Sequence, residues 1–402
     1  MANSSSQVQP PKAKNLSFEN TEIAFKGMSQ TDLNRAYWLF KMISSNFLTK
    51  IGPPITNFAL RIGLPIQPII KATIFRHFCG GETIEECEQT IENLSKGSVG
   101  SILDYSVEGA EEEDVFDETC REILNTIQRA TGDSRIPLTV FKVTGIGRFG
   151  LLEKISAKYA LSADEETEFN RLKNRAAQIC QSAFKANVPV MIDAEESWIQ
   201  QPIDDLAMEM MRKYNRESPI VLNTYQLYRH DKLQDLKADA AKAKAENFIL
   251  GAKLVRGAYM EKERKRAADM GYISPINSSK EATDKDYNEA VLFCINNIDQ
   301  IGFVAGTHNE NSCRLLTDLL NEKEISSNHP HVYFSQLLGM SDNLSFNLSN
   351  AGYNVAKYVP YGPVKAVLPY LFRRAQENTS IAGQMGRELN LIIKEQKRRR
   401  KN

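Results

Sequence analysis

Eight short runs rich in β-branched residues, separated by long charged amphipathic stretches, constrain the fold most strongly. The predicted strands are Val99–Tyr105, Pro137–Thr144, Val188–Asp193, Pro219–Tyr225, Leu250–Arg256, Gly302–Thr307, His331–Gln336 and Asn354–Val359. The predicted helices between them include Glu165–Lys185, Ile203–Tyr214, Lys232–Asn247 and Asn309–Asn321. Alternating strands and helices are typical of parallel βαβ units. Eight units in about 280 residues predict an α/β fold of the (βα)8 TIM-like barrel type, with a doubly wound sheet as the alternative.

Polar residues at the strand ends favour the barrel, in which functional groups gather at the C-terminal ends of all strands. Each predicted strand carries such a group at or near that end, in the order Asp104, Lys142, Asp193, Gln226, Arg256, Thr307, Gln336 and Tyr358. Lys142 and Lys253 lie inside apolar runs. Buried charges are rare unless they are paired or bind a ligand. We therefore expect these lysines at a functional barrel mouth.

The segments outside the barrel divide the 402-residue chain into four parts. We predict a flexible tail at 1–30, a helical extension at 31–96, the barrel at 97–380 and a basic tail at 381–402. The extension is apolar, and we expect it to pack on the barrel or to rest on a membrane surface. The basic tail, with Leu391–Ile393 before it, is interpreted as an amphipathic surface anchor or as a solvated terminus. No apolar run is long enough for a spanning helix.

Charge and cysteine usage exclude several classes of partner. Fifty Lys and Arg residues balance fifty Asp and Glu residues, so we expect no nucleic-acid partner. The six cysteines form no CxxC pair and the five histidines show no ligand spacing, so we predict reduced thiols and no metal.

The N-terminus lacks the pattern of a secretory or transit signal. We therefore expect a cytoplasmic location.

A glycine motif, Gly145-Ile-Gly-Arg-Phe-Gly150, follows the second predicted strand and matches the dinucleotide-binding pattern GxGxxG. That pattern belongs in a chain's first βαβ unit, with an acidic residue ending the next strand ~20 residues on. Here the next strand ends at Asp193, much further along. A loop beside Lys142 is the favoured interpretation, and a nicotinamide-dependent oxidoreductase is the alternative.

The helix predicted after strand eight, Pro363 to Asn378, carries an unusual face. Tyr370, Arg373, Arg374 and Glu377 stand at positions i, i+3, i+4 and i+7, and so share one side of the helix. Two guanidinium groups suit the fork geometry of a carboxylate, and a tyrosine can pack on an apolar ring. The pattern predicts a clamp for a small carboxylate, although spacing alone also fits a solvated face.

Taken together, these residues resemble the proline dehydrogenase family. The similar segments cover roughly residues 97–380: Lys142, Asp193–Glu196, Asn223–Gln226, Gly251–Tyr259, Thr307–Asn309, Tyr358–Pro363 and Tyr370–Asn378. The spelling Lys-Leu-Val-Arg-Gly-Ala-Tyr resembles the single-function branch of the family found in eukaryotes and some bacteria. The resemblance implies a (βα)8 barrel that holds FAD, with the helix after strand eight lying over the active site.

The implied reaction is oxidation of L-proline to Δ1-pyrroline-5-carboxylate, with electrons passed to a membrane quinone. The resemblance implies that Arg373, Arg374 and Lys142 bind the proline carboxylate, and that Tyr358, Tyr370 and Leu338 surround its ring. Asp193 would lie close to the isoalloxazine, and Lys253 near its N5 edge. The remaining implied flavin contacts are Gln226, Val255, Gly257, Ala258, Thr307, His308, Asn309, Gln336 and Glu377. Glu108 would pair with Arg374 or a neighbouring arginine.

Two further expectations follow from the resemblance. Relatives that prefer hydroxyproline carry a small residue at the position of Tyr358, so a tyrosine there favours proline, with hydroxyproline oxidation as the alternative. A quinone acceptor lies in the membrane, so peripheral contact is expected on the inner face of the membrane, or on the matrix side if the chain is mitochondrial.

A non-catalytic barrel that serves as a binding protein is the remaining alternative.

Overall fold

The computed structural model describes residues 16–43, 64–106, 111–380 and 384–401, with side chains described as far as residue 374 and again from 386. Eight parallel strands form one sheet in the order β1-β8-β7-β6-β5-β4-β3-β2, and the two end strands, β1 and β2, also contact each other. They are β1 (Gly100–Tyr105), β2 (Thr139–Lys142), β3 (Val190–Asp193), β4 (Val221–Gln226), β5 (Leu250–Val255), β6 (Ile301–Gly306), β7 (Val332–Leu337) and β8 (Val355–Tyr361). The sheet is therefore a nearly closed barrel.

Helices surround the sheet and extend beyond it. Those before β1 are α1 (Thr21–Ala24), α2 (Gln30–Ile43), α3 (Gln67–Ile70), α4 (Arg76–Phe78) and α5 (Glu88–Ser95), with a π-helical turn (Lys71–Phe75) joining α3 to α4. Those between strands are α6 (Glu113–Ala130), α7 (Phe149–Ser156), α8 (Ala163–Ala186), α9 (Ser197–Tyr214), α10 (Lys232–Ala245), α11 (Met260–Met270), α12 (Lys280–Asn296), α13 (Glu310–Glu322) and α14 (Asp342–Asn350). After β8 come α15 (Val364–Ser380) and α16 (Gln384–Arg399).

The strands are buried on both faces, which explains why they read as apolar runs rather than as alternating patterns. One face fills the barrel interior with a separate apolar cluster that includes Ile102, Val140, Met191, Val304 and Tyr358. The other face joins the larger core between the sheet and the surrounding helices. Side chains alternate between these faces along each strand. The interior cluster therefore forms the floor beneath the polar groups at the strand ends.

The predicted barrel is confirmed. Each predicted strand overlaps an observed strand, and its ends differ by no more than two residues. The doubly wound alternative is wrong, because the strand order runs in sequence around the sheet and brings β1 beside β8.

The segments outside the barrel differ from the expected tails. Within the tail predicted at 1–30, Asn20 caps α1 by accepting a hydrogen bond from the Ile23 N–H at 3.2 Å, and Phe25 is buried. At the other end, Leu391 and Ile392 are buried in a second core together with residues of α2 and α15. The apolar face of α16 thus packs on other helices, because its apolar side chains find an apolar surface within the chain. That face is therefore not available as the predicted membrane anchor.

Among the helices of the described ranges, none combines the length and the apolar character needed to cross a membrane.

Candidate active site

Buried ion pairs occupy the C-terminal end of the barrel. Asp193, the last residue of β3, accepts hydrogen bonds from Lys142 Nζ at 3.0 Å and from Lys253 Nζ at 2.6 Å, one through each carboxylate oxygen. Lys142 ends β2 directly opposite Asp193 in the parallel register, and Lys253 reaches it from β5. Asp104, from β1, lies 3.9 Å from Lys142 Nζ and accepts a hydrogen bond from Ser106. Three predicted site residues thus meet in one cluster.

The charges of this cluster are interdependent. Burial alone would raise the pKa of Asp193, but Lys253 and Lys142 outweigh it and lower the pKa. Burial lowers the pKa of Lys253 against the opposing effect of Asp193. Burial raises the pKa of Asp104, with a further contribution from the Asp193 charge. Buried charges are costly unless paired, so these contacts keep the mouth polar and close to neutral overall.

Tyr358 covers this cluster from β8. Its side chain points into the barrel, its hydroxyl donates to Asp193 Oδ1 at 3.4 Å, and its ring centre lies 4.4 Å from Lys253 Nζ. Burial and the Asp193 charge raise the pKa of Tyr358 well above its usual value, so the phenol stays protonated. Leu338 lies beside Tyr358 in space, because its N–H donates to the Tyr358 carbonyl oxygen at 2.9 Å.

The sequence placed Asp104 only among the polar strand ends and gave Glu195 no role of its own. Glu195 follows Asp193 and accepts hydrogen bonds from the Thr144 N–H at 3.0 Å and from the Thr144 hydroxyl. Burial raises the pKa of Glu195 to about 7. This pair joins the loop after β3 to the loop after β2. The sequence signal for Glu195 was a further carboxylate directly after the third predicted strand. Its partner, Thr144, lies 51 residues earlier in the chain.

The side of the mouth formed by β4 to β6 carries most of the predicted flavin contacts. Gln226 Nε2 donates to the Glu195 carbonyl oxygen at 2.7 Å. Arg256 pairs with Asp284 at 2.7 Å and donates to the Thr307 hydroxyl at 2.8 Å. The predicted contacts Val255, Gly257, Ala258, His308 and Asn309 are half-buried or exposed. These residues form a partly accessible strip beside the buried ion pairs.

His308 and Gln336 lie where β6 and β7 end. His308 Nδ1 is 2.8 Å from Ser341 Oγ. Desolvation of its half-buried ring, together with the charges of Lys357, Arg374 and Arg256, lowers the pKa of His308 to about 3, so the imidazole is neutral. Gln336 is buried, donates to the Thr307 carbonyl oxygen at 3.1 Å and accepts from Ser345 of α14 at 2.8 Å. Both ends of its amide are bound by protein groups, and its predicted flavin contact stays a prediction.

The predicted clamp helix is α15. Tyr370 and Arg374 are buried, and the Arg374 guanidinium stacks on the Tyr370 ring at 5.0 Å. Arg373 is half-buried. A fully solvated face is therefore excluded. Tyr370 belongs to an apolar cluster against which Leu337, the last residue of β7, packs, so α15 lies beside the C-terminal end of that strand. Two predicted residues of this site, Glu377 and Glu108, fall outside the described side chains.

The glycine motif has a packing role. A Cβ at Gly147 would lie 2.1 Å from Leu172 Cδ1 of α8, so only glycine fits without displacement. Arg148 in the same motif pairs with Glu168 of α8 at 2.8 Å. The motif is thus a turn packed against the next helix, as the loop interpretation expected.

Comparison with known sequences gives the family. Residues 87–387 match the sequence model described as "Proline dehydrogenase". The chain belongs to the proline dehydrogenase family. The matched segment contains every site residue named above.

Individual proline dehydrogenases agree with this assignment. Proline dehydrogenase 1, mitochondrial, of Dictyostelium discoideum is 33% identical over 426 residues, covering 94% of this chain and 74% of that protein. The protein of the same name from Homo sapiens is 39% identical, covering 66% of this chain and 45% of that protein.

The solved structures support the fold. A crystal structure of proline utilization A from Bdellovibrio bacteriovorus aligns with a TM-score of 0.71 and 18% identity. The alignment covers 94% of this chain, but this chain spans only 40% of that protein.

Proposed function

We propose that the protein oxidises L-proline to Δ1-pyrroline-5-carboxylate using FAD and passes the electrons to a quinone. The observation that carries the proposal is the buried cluster of Lys142, Asp193 and Lys253 beneath Tyr358, in a chain of this family. The cluster lies at the end of the barrel where such folds carry their active sites.

The donor set fits a flavin dinucleotide. Arg256 offers a cation beside the start of α13, and an anionic diphosphate favours such a cation and a nearby helix N-terminus. Lys253, paired with Asp193 at the barrel mouth, would lie near the N5 edge of the flavin. The accessible backbone of 255–258 and the polar groups of Thr307 and Asn309 suit the uncharged parts of the cofactor. A bound FAD supplies the hydride acceptor for the reaction.

The protein's own residues would bind and orient the substrate. The proline carboxylate needs cationic partners, and Lys142 lies at the barrel mouth beside Asp193. Arg373 and Arg374 of α15 are suited to this role, because a guanidinium can bind a carboxylate through two hydrogen bonds. Tyr370 and Tyr358 provide aromatic surface for the ring. Fixing a small substrate in this way contributes to rate through orientation.

Proton transfer needs no dedicated buried base in this proposal. The proline nitrogen must lose its ammonium proton before its lone pair can assist hydride departure, and water can accept that proton. His308 is neutral at physiological pH, and we assign it to the flavin side of the mouth rather than to proton transfer.

Proline is favoured over hydroxyproline by the position of Tyr358. The ring is buried, and its hydroxyl contacts Asp193. A 4-hydroxyl group on the substrate ring would need space that a smaller side chain would leave at this position.

The decisive experiment is anaerobic titration of the purified protein with L-proline while the flavin absorption is followed. We expect a yellow protein whose absorption near 450 nm is bleached by L-proline and much less by 4-hydroxyproline. A protein that binds no flavin, or whose bound flavin stays oxidised with L-proline, would contradict the proposal. A colourless protein that binds a nicotinamide dinucleotide would instead favour the nicotinamide alternative.

We further propose that the protein works beside the membrane that contains the quinone. Its place would be the cytoplasmic face, or the mitochondrial matrix side, as the names of the Dictyostelium and human relatives suggest for those proteins.

A further inference from the structure

The loop between β7 and α14, residues 338–342, has a strained backbone that contacts from other helices must stabilise. Gly339 and Ser341 both adopt left-handed conformations, with φ of 75° and 52°. A Cβ at Gly339 would lie 2.4 Å from the His77 carbonyl oxygen, so the close approach of α4 requires glycine there. A left-handed serine is strained and persists only where its surroundings stabilise it.

Two helices outside the barrel supply the contacts. Glu388 of α16 accepts a hydrogen bond from the Ser341 N–H through Oε1 at 2.5 Å. His77 of α4 lies with Nε2 2.9 Å from the Gly339 carbonyl oxygen, and must donate because a carbonyl only accepts. From the barrel side, the fully buried Lys357 donates to the Met340 carbonyl oxygen at 2.6 Å.

The same loop contacts residues of the mouth. Ser341 Oγ is 2.8 Å from His308 Nδ1. The Leu338 N–H donates to the Tyr358 carbonyl oxygen at 2.9 Å. A continuous path of hydrogen bonds therefore runs from Glu388 through Ser341 to His308.

We propose that Glu388 is a positioning residue of the active site. By holding the Ser341 N–H, it fixes the loop that orients the His308 ring and places Leu338 beside Tyr358. This inference rests on the proposed function, because it assigns those residues to the flavin and proline sites. Glu388 lies just beyond residues 87–387, and His77 lies before them, so the family match covers neither. In this proposal, α16, which lies outside the barrel, positions residues of the barrel's active site.

A competing explanation is that Glu388 only fastens α16 to the body. Glu395 is the matched control, because it is also a buried glutamate on α16. It pairs with Arg398 at 2.8 Å and Arg399 at 2.7 Å, and both arginines belong to its own helix. A variant at Glu395 weakens the packing of α16 without removing the hydrogen bond to Ser341.

The test uses the full-length, flavin-loaded protein and three variants: Glu388→Ala, Glu388→Gln and Glu395→Ala. Hydrogen–deuterium exchange of the 338–342 loop is measured with kcat and KM for L-proline and the unfolding midpoint. We expect Glu388→Ala to speed exchange at the Ser341 amide about tenfold and to raise KM about three- to tenfold with a smaller change in kcat. Glu388→Gln keeps an acceptor oxygen and should restore both values. Glu395→Ala should change only the unfolding midpoint.

Equal effects of Glu388→Ala and Glu395→Ala on exchange and KM would overturn the proposal, as would unchanged exchange in Glu388→Ala. If Glu388→Ala fails to fold, Glu388→Asp replaces it. The shorter side chain keeps the charge but withdraws the carboxylate from the Ser341 N–H, so loop exchange and KM should both rise, and unchanged values of both would count against the proposal. Exchange can be read without turnover, so a failure of proline to reduce the flavin would contradict the proposed function alone.

Discussion

At the scale of single residues, we expect Tyr358 to select which ring the mouth accepts. Its side chain is buried against both the Asp193 carboxylate and the Lys253 ammonium group. We expect Tyr358→Ser to open space there and to raise the ratio of kcat/KM for 4-hydroxyproline over L-proline by about tenfold or more. Steady-state kinetics with both substrates measure this ratio.

The control for this prediction is Tyr358→Phe, which keeps the ring and removes only the hydrogen bond to Asp193. It should leave the substrate ratio near that of the wild type. If the ratio is the same in the serine variant, Tyr358 does not select the substrate.

Glu195 gives a residue-scale prediction about pH. Its folded-state pKa is raised to about 7, so between the unfolded value and pH 7 the folded protein keeps a proton that the unfolded chain releases. Stability from this group is therefore greatest at low pH and falls as pH rises towards 7, by up to about 3 kcal/mol. Glu195→Gln keeps an acceptor for the Thr144 N–H and cannot ionise.

We expect the free energy of unfolding of Glu195→Gln, relative to the wild type, to increase between pH 5 and pH 8. Urea unfolding at several pH values measures the difference. A difference that is constant with pH would show that Glu195 ionises normally.

At the scale of elements, the sequence predicted the strands well and the loops poorly. Parallel strands covered on both faces must be apolar runs, and each such run became a strand of the barrel. The roles of Glu195 and Glu388 depend on contacts with Thr144 and Ser341, which lie 51 and 47 residues away in the chain. No local pattern records such contacts. Family resemblance, rather than spacing, narrowed the ligand predicted for Tyr370, Arg373 and Arg374 from a small carboxylate to proline.

The packing of the glycine motif against α8 can be tested directly. Gly147→Ala places a Cβ 2.1 Å from Leu172, and overpacking of this kind costs about 1–3 kcal/mol. Gly150→Ala is the matched control, since its Cβ would meet only the flexible end of Arg148, at 3.5 Å. We expect chemical unfolding to show a loss for the first variant and little change, or a small gain, for the second. Equal losses would argue against packing as the reason for Gly147.

At the scale of the whole molecule, α1 and α2 before the barrel share a second core with α15 and α16 after it. The second core joins Phe25 and Phe40 with Leu391 and Ile392 from the opposite end of the chain. The Arg399 guanidinium donates to the Phe25 and Met28 carbonyl oxygens at 2.7 and 2.9 Å. The basic C-terminal segment therefore fastens the N-terminal segment, and part of its charge is used within the molecule.

This arrangement makes a final prediction about α16. Leu391→Ala removes a buried side chain, so we expect a loss of roughly 2–5 kcal/mol in the free energy of unfolding. Pelleting with anionic liposomes should not change, because the apolar face of α16 is covered in the folded protein. Lys397→Ala, at an exposed position on the same helix, is the control and should leave stability unchanged. If Leu391→Ala abolished pelleting while stability stayed intact, α16 would be a membrane anchor, and its packing on the second core would have to open at the membrane surface.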